Sequence, residues 1–97
     1  MKLLTKELLT KLPKLYACEE QINPMVWCKF FTPDSNWTWY AIEFDGVDTF
    51  YGIVFGFEKE LGYFSLKELE SVKGKLGLPI ERDLHFTPCK LSKVTRY

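Results

Sequence analysis

The chain has 97 residues, 46% of them hydrophobic and 27% charged, with 13 basic against 13 acidic side chains and a net charge of zero. That describes one domain over residues 1–97 with a single modest core, and excludes both a disordered segment and a two-core protein; the charge balance also excludes a global positive field that would hold a polyanion. Cys18, Cys28 and Cys89 are odd in number and widely spaced without a CxxC pair, which excludes a disulfide framework and a zinc site; with no cleavable leader and no apolar run of membrane-spanning length, the expected setting is cytoplasmic.

Thr5 stands at the N-cap of a short helix, with Glu7 in its first turn and Leu8, Leu9 and Leu12 spaced for one apolar face; Pro13 ends it. Residues 15–23 read as a connector, and Asn23-Pro24 as an extended entry to a strand. Met25 to Thr32 alternates imperfectly, Pro33-Asp34-Ser35-Asn36 is a turn cluster, and Trp37 to Phe44 begins a second strand. Asp45-Gly46-Val47-Asp48 then predicts a hairpin. With Asp45 opposite Asp48, Ile42 faces Tyr51, Tyr40 faces Ile53 and Thr38 faces Phe55 on one apolar side of the sheet. On the other side Glu43 faces Phe50, Ala41 faces Gly52, Trp39 faces Val54 and Trp37 faces Gly56. Glycine inside a strand marks a close approach to the backbone, and Trp37 and Trp39 are the obvious groups to make it.

Gly62-Tyr63-Phe64 reads as a further short strand, and Ser65-Leu66-Lys67-Glu68 matches the S-x-x-E capping box that opens a helix. Leu66, Leu69 and Val72 or Lys73 continue that helix toward a stop at Gly74. Ile80 to Phe86 fits a strand or a loop, and the tail to Tyr97 a short helix or an extended arm. Strands in series with a helix before and after give an α+β fold: a single small domain, mainly antiparallel β-sheet, with two short helices packed on one face. The expected seat of the helices is the face carrying Tyr40, Ile42, Phe44, Tyr51, Ile53 and Phe55, which leaves Trp37 and Trp39 on the exposed face.

The chemistry-bearing residues are few. His85 is the only histidine, with Asp83 two positions before it, half of a general-base arrangement with no serine or cysteine adjacent in sequence; as a rule such a histidine is structural. Glu43, Asp45 and Asp48 offer oxygen ligands near the hairpin, but without calcium-loop spacing, and turn chemistry alone selects aspartate there. No P-loop, dinucleotide fingerprint, HExxH or GxSxG motif is present, so no catalytic residue, cofactor or metal is expected. Trp37 and Trp39, two apart on one strand, make a platform on which a base or a partner's side chain could stack, unless they serve to cover Gly52 and Gly56. Basic residues collect at the termini, with Lys2, Lys6, Lys11 and Lys14 at one end and Lys90, Lys93 and Arg96 at the other.

Phe30-Phe31-Thr32-Pro33-Asp34-Ser35-Asn36-Trp37-Thr38-Trp39-Tyr40, with Glu43-Phe44-Asp45-Gly46 and Asp48-Thr49-Phe50 after it, resembles the bacterial family named domain of unknown function 2958. Glu60 to Glu70 and Leu78 to Phe86 resemble that family's later signatures. The resemblance implies a cytosolic bacterial protein of plasmids, conjugative elements or phages, and carries over no activity and no catalytic residues. The expected function is a small non-enzymatic binding protein acting on a host defence protein or a nucleotide-like ligand, through Asn36, Trp37, Trp39, Arg82, Asp83 and His85. The alternatives are a module for single-stranded nucleic acid and a metal-dependent hydrolase or nuclease built on His85 and Asp83. No membrane partner is expected, and the oligomeric state is not legible.

Overall fold

A computed structural model describes residues 2–94. Helix α1, Lys6–Lys11, starts where Thr5 Oγ1 accepts the Leu8 N–H at 3.2 Å and stops at Leu12, which turns extended ahead of Pro13. The described residues then form a five-stranded antiparallel sheet in the order β5-β4-β3-β2-β6. Its strands are β2 (Cys28–Phe31), β3 (Thr38–Phe44), β4 (Thr49–Phe55), β5 (Lys59–Ser65) and β6 (Glu81–Arg82). A separate ribbon pairs β1, Met25–Val26, with β7, Cys89–Lys90. Helix α2, Leu66–Ser71, follows β5, and a 3-10 turn at Leu91–Lys93 follows β7. The fold is α+β, as expected. Strand β5 is longer than the three residues foreseen, β6 is a strand of two residues, and the end of the expected tail, residues 95–97, lies outside the described residues.

The hairpin departs from expectation in an instructive way. Asp45 pairs with Thr49, not Asp48, so the loop is one residue longer than a two-residue turn. Asp45 Oδ1 fills that loop by accepting N–H bonds from Val47, Asp48 and Thr49 at 2.8, 2.8 and 3.0 Å. A bulge between Ala41 and Glu43 then restores the register. Tyr51 and Phe50 lie opposite Glu43 and Phe44, whereas Tyr40, Ala41, Trp39 and Thr38 keep the expected partners Ile53, Gly52, Val54 and Phe55. The extra loop residue and the bulged Ile42 offset each other, so the far half of the ladder pairs as predicted while Glu43 and Phe44 change sides. Phe44 thereby moves to the Trp39 side, and Ile42 and Glu43 both face the other side with Tyr51.

Both faces of the sheet are covered, which is why all seven residues of β3 are buried. On one face Phe30, Trp39, Ala41, Phe44 and Phe50 pack with Leu4, Leu12, Leu69 and Ile80, so both helices sit there. This corrects the expected side: the helices cover the tryptophan face. The Tyr40, Ile42, Ile53 and Phe55 face packs with Val26, Phe86, Leu91 and Val94, beneath the β1–β7 ribbon and the connector that ends at Pro24. Helices of six residues carry too few apolar positions to declare a side, and the two-residue strands of the ribbon carry no period at all.

The start of α2 is doubly fixed. Ser65 Oγ accepts the Glu68 N–H at 3.3 Å, and Asp48 accepts from Ser65 Oγ at 2.6 Å and from the Lys67 N–H at 2.8 Å. The helix ends at Val72, two residues before the expected glycine stop, and residues 73–79 fold back through Gly77 at φ +80°. Asp45 and Asp48 both titrate below the usual 3.8, Asp45 because of its backbone N–H bonds and Asp48 because of Ser65 and then Lys67. Their contribution is therefore fully present above about pH 3.8 and is lost as pH falls through their lowered folded-state values. Melting temperature is expected to fall on acidification below that point, and Asp48→Asn to make the decline shallower in a thermal scan at successive pH values.

Candidate functional site

The structure separates the residues expected to act together. Trp39 is only 8% exposed and belongs to the helix-side core. Trp37 is half-buried, with its ring 5.9 Å from Trp39 and edge-on to Phe57 at 5.5 Å. A Cβ on Gly56 would run into the Trp37 ring, so the expected partnership of that glycine with a tryptophan holds. The open part of this platform is a shallow pocket of about 390 Å³ that Trp37 shares with Ser35, Lys73 and Lys75, and Asn36 is exposed next to it. Native emission is expected to be blue-shifted, with the acrylamide-accessible fraction falling in Trp37→Phe; an unchanged quenching curve in that variant would show that Trp37 is not the open one.

Arg82, Asp83 and His85 lie elsewhere. Arg82 pairs with Phe30 across the sheet edge, and its Nη1 donates to the carbonyls of Lys2 and Leu3 at 2.8 and 3.0 Å, holding the N-terminal segment. Asp83 Oδ1 accepts the backbone N–H of His85 at 2.9 Å, and Oδ2 stands 3.7 Å from Lys29 Nζ. The carboxylate is thus spent on a turn and an ion pair, and His85 is exposed. Glu43, Asp45 and Asp48 do not line the depression that Arg82 and Asp83 border. Among the described residues no three His, Cys, Asp or Glu side chains come together as metal ligands, and no helix is long and apolar enough to cross a membrane.

The best-formed site is one that sequence reasoning did not assemble. The bulge aims Glu43 at the connector, and the residue is only 4% exposed there. Oε1 accepts the Tyr16 N–H at 2.9 Å and Oε2 the Cys18 N–H at 2.7 Å. The connector reaches that position because Pro13 accepts the Phe44 N–H at 2.8 Å and tight turns follow from Lys14 to Gln21. Tyr16 is held at φ +70°, a left-handed conformation that a non-glycine residue adopts at a cost of about 1–3 kcal/mol. Across the sheet the row continues from Glu43 to Tyr51 on β4 and Tyr63 on β5. The Tyr51 and Tyr63 rings are 5.2 Å apart at 59°. Tyr63 forms a side-chain hydrogen bond with Tyr16, which together with desolvation raises its hydroxyl pKa above 10.0.

These groups enclose a cleft of about 260 Å³ rimmed by Ile22, Leu61 and Leu91. It runs into a second, more open groove of about 520 Å³ that shares those three residues and adds Ile53 and Lys59. The Cys18 thiol beside it is raised in pKa by burial and then by the Glu43 charge. One signal in the sequence could have found this site. Glu43 is the sole ionisable carboxylate within the run Trp37 to Phe44, and a glutamate in a fully buried strand requires specific partners.

No curated protein and no solved structure matches the chain. The family model described as protein of unknown function DUF2958 matches residues 3–97. The resemblance carried by the Phe30–Tyr40 string and the later signatures thus extends over nearly the whole sequence, and the chain belongs to the DUF2958 family.

Proposed function

We propose that this protein is a non-catalytic binding module that engages its partner through the tyrosine-lined cleft and the apolar groove continuous with it. The observation that carries this reading is the contiguous apolar surface on the outer part of β4 and β5, where Leu61 is 54% and Tyr63 55% exposed beside Ile22. Exposed apolar residues clustered around a concavity mark interaction sites more often than scattered ones do. The resemblance to proteins of plasmids, conjugative elements and phages favours a host protein, including a defence component, as that partner. The test is affinity capture from host lysate with the wild type and with a Leu61→Asp, Tyr63→Ala double variant of matching circular dichroism. A protein retained by the wild type and released by the variant is expected. Identical retention by both would remove the cleft from the interaction.

A second reading rests on the pocket at Trp37, where Lys73 and Lys75 stand beside an open indole face. It is suited to a stacked base with its phosphate, as in a nucleotide or a single-stranded nucleic acid. Titration with oligothymidylate is then expected to quench Trp37, with a log–log salt slope of roughly −1.4 for two phosphate contacts. A salt-independent or absent response would exclude it.

A further inference from the structure

The tyrosine cleft has a chemical bias that narrows what it can bind. Its lining includes two carboxylates, Glu43 at the floor and Glu19 at the rim, and no lysine, arginine or histidine. The two ion pairs among the described residues, Lys11–Glu7 and Lys29–Asp83, leave Glu43 without a cationic partner although it is almost fully buried. Each Glu43 oxygen accepts one backbone N–H. The Cys18 thiol bonds the same carboxylate, and with about four lone-pair sites it still keeps acceptor capacity, and the negative charge that raises that thiol, toward the cleft. Three tyrosine side chains stand around that charge, two of them tilted against each other like adjacent walls. Aromatic faces around an anionic floor, with no competing cation, make a receptor for a positive charge of low hydration.

We propose that the cleft binds an alkylammonium group, seated against the rings of Tyr51 and Tyr63 with Glu43 as counter-ion. The proposal rests on the reading of this cleft as the binding site and names what enters it. The size agrees: about 260 Å³ lies below the ~300–1,000 Å³ typical of sites for drug-sized ligands, and suits a headgroup or one side chain. A hard divalent cation is a poorer match, because calcium takes 6–8 oxygen ligands and the cleft lining offers two carboxylates, one of them already bonded to two backbone N–H groups. The strained Tyr16 backbone fits the same purpose, since the bond from its N–H to Glu43 fixes the third aromatic wall.

The ammonium group has two sources, a free quaternary amine or a lysine side chain of a protein, and the test separates them. The full-length chain, labelled with nitrogen-15, is titrated with choline, with its neutral carbon isostere 3,3-dimethylbutan-1-ol, and with a short peptide bearing one lysine, unmodified or trimethylated. Saturable shifts at Tyr16, Tyr51 and Tyr63 are expected for choline or for a lysine peptide, at least about fivefold tighter than for the neutral isostere. Tighter binding of choline than of either peptide identifies a free amine, and the reverse a protein side chain. Tyr63→Leu, at a site exposed enough to leave folding intact, is expected to weaken cation binding about fivefold or more. If the isostere binds as tightly as choline, or Tyr63→Leu changes nothing, the cation site is wrong while the cleft remains a binding surface. If no probe shifts these residues, the ammonium proposal fails outright, and the lysate capture alone decides whether the cleft binds a protein.

Discussion

Gly52→Ala is expected to destabilise the domain by about 3 kcal/mol or more, at the upper end of what overpacking a core usually costs. Gly52 lies opposite Ala41, immediately before the bulge, at the centre of the sheet. A Cβ there would land on the carbonyl oxygen of Tyr40, 3.0 Å from its carbonyl carbon and 3.2 Å from the Cα of Ala41. All of these are backbone atoms of β3, which cannot rotate aside as a side chain can. Relief requires β3 and β4 to separate, at the point where the bulge sets the register for both faces. For a domain of this size the loss corresponds to a fall in melting temperature of about 12 °C or more. Gly62, the partner of Gly52 on β5, is the control: a Cβ there meets nothing within 4 Å, and Gly62→Ala is expected to be neutral or stabilising by up to about 1 kcal/mol. Urea denaturation of the two variants beside the wild type measures both; equal midpoints would mean that the strands do not approach each other as described.

Glu43→Leu is expected to cost about 2 kcal/mol and, unlike Gly52→Ala, to act locally. Charge-assisted hydrogen bonds contribute about 1.5–3 kcal/mol each, and this carboxylate accepts two. Relief of the desolvation of a buried carboxylate offsets part of that loss. The remaining effect falls on residues 14–21, which these two bonds hold to the sheet together with the Tyr16–Tyr63 hydrogen bond and the one from Phe44 to Pro13. Cys18 reports it directly. Its thiol is raised first by burial and next by the Glu43 charge, so both causes weaken when the side chain is replaced and the connector loosens. Alkylation of Cys18 by iodoacetamide at pH 8 is therefore expected to speed up in the variant. Cys28 is the internal reference, since burial pushes its thiol up to about 12 and keeps it inert while the core persists. Equal acceleration at Cys28 would mean that the substitution unfolds the whole sheet.

Much of the scaffold is legible from local chemistry. The Thr5 cap, the Ser65 start of α2, the strands on either side of the hairpin and the seat of Gly56 under Trp37 follow from side chains that act within a few residues or across one ladder. What escapes is decided by counting. One additional loop residue and one bulged residue cancel over most of the hairpin, yet between them they reverse Phe44 and turn Glu43 toward the connector. The alternation of β3 could not announce this, because a strand buried on both faces reads as apolar throughout. The expected aromatic platform at the tryptophans is therefore only partly open: Trp39 is core, and the exposed rings are Phe57, edge-on to Trp37, and Tyr16 and Tyr63 of the cleft. Arg82 shows the other limit: its role, clasping two carbonyls of the N-terminal segment, joins residues about 80 positions apart.

The arrangement that makes the tyrosine cleft stands or falls on the clamp between Glu43 and the connector. Amide hydrogen exchange of Tyr16 and Cys18, measured residue by residue in the wild type and in Glu43→Leu, tests it most directly. Both amides should be protected well above their connector neighbours in the wild type and lose that protection in the variant, with the β3 and β4 amides unchanged. Tyr16 and Cys18 amides that exchange at the free-peptide rate in the wild type would contradict the clamp, and with it the cleft as a built site.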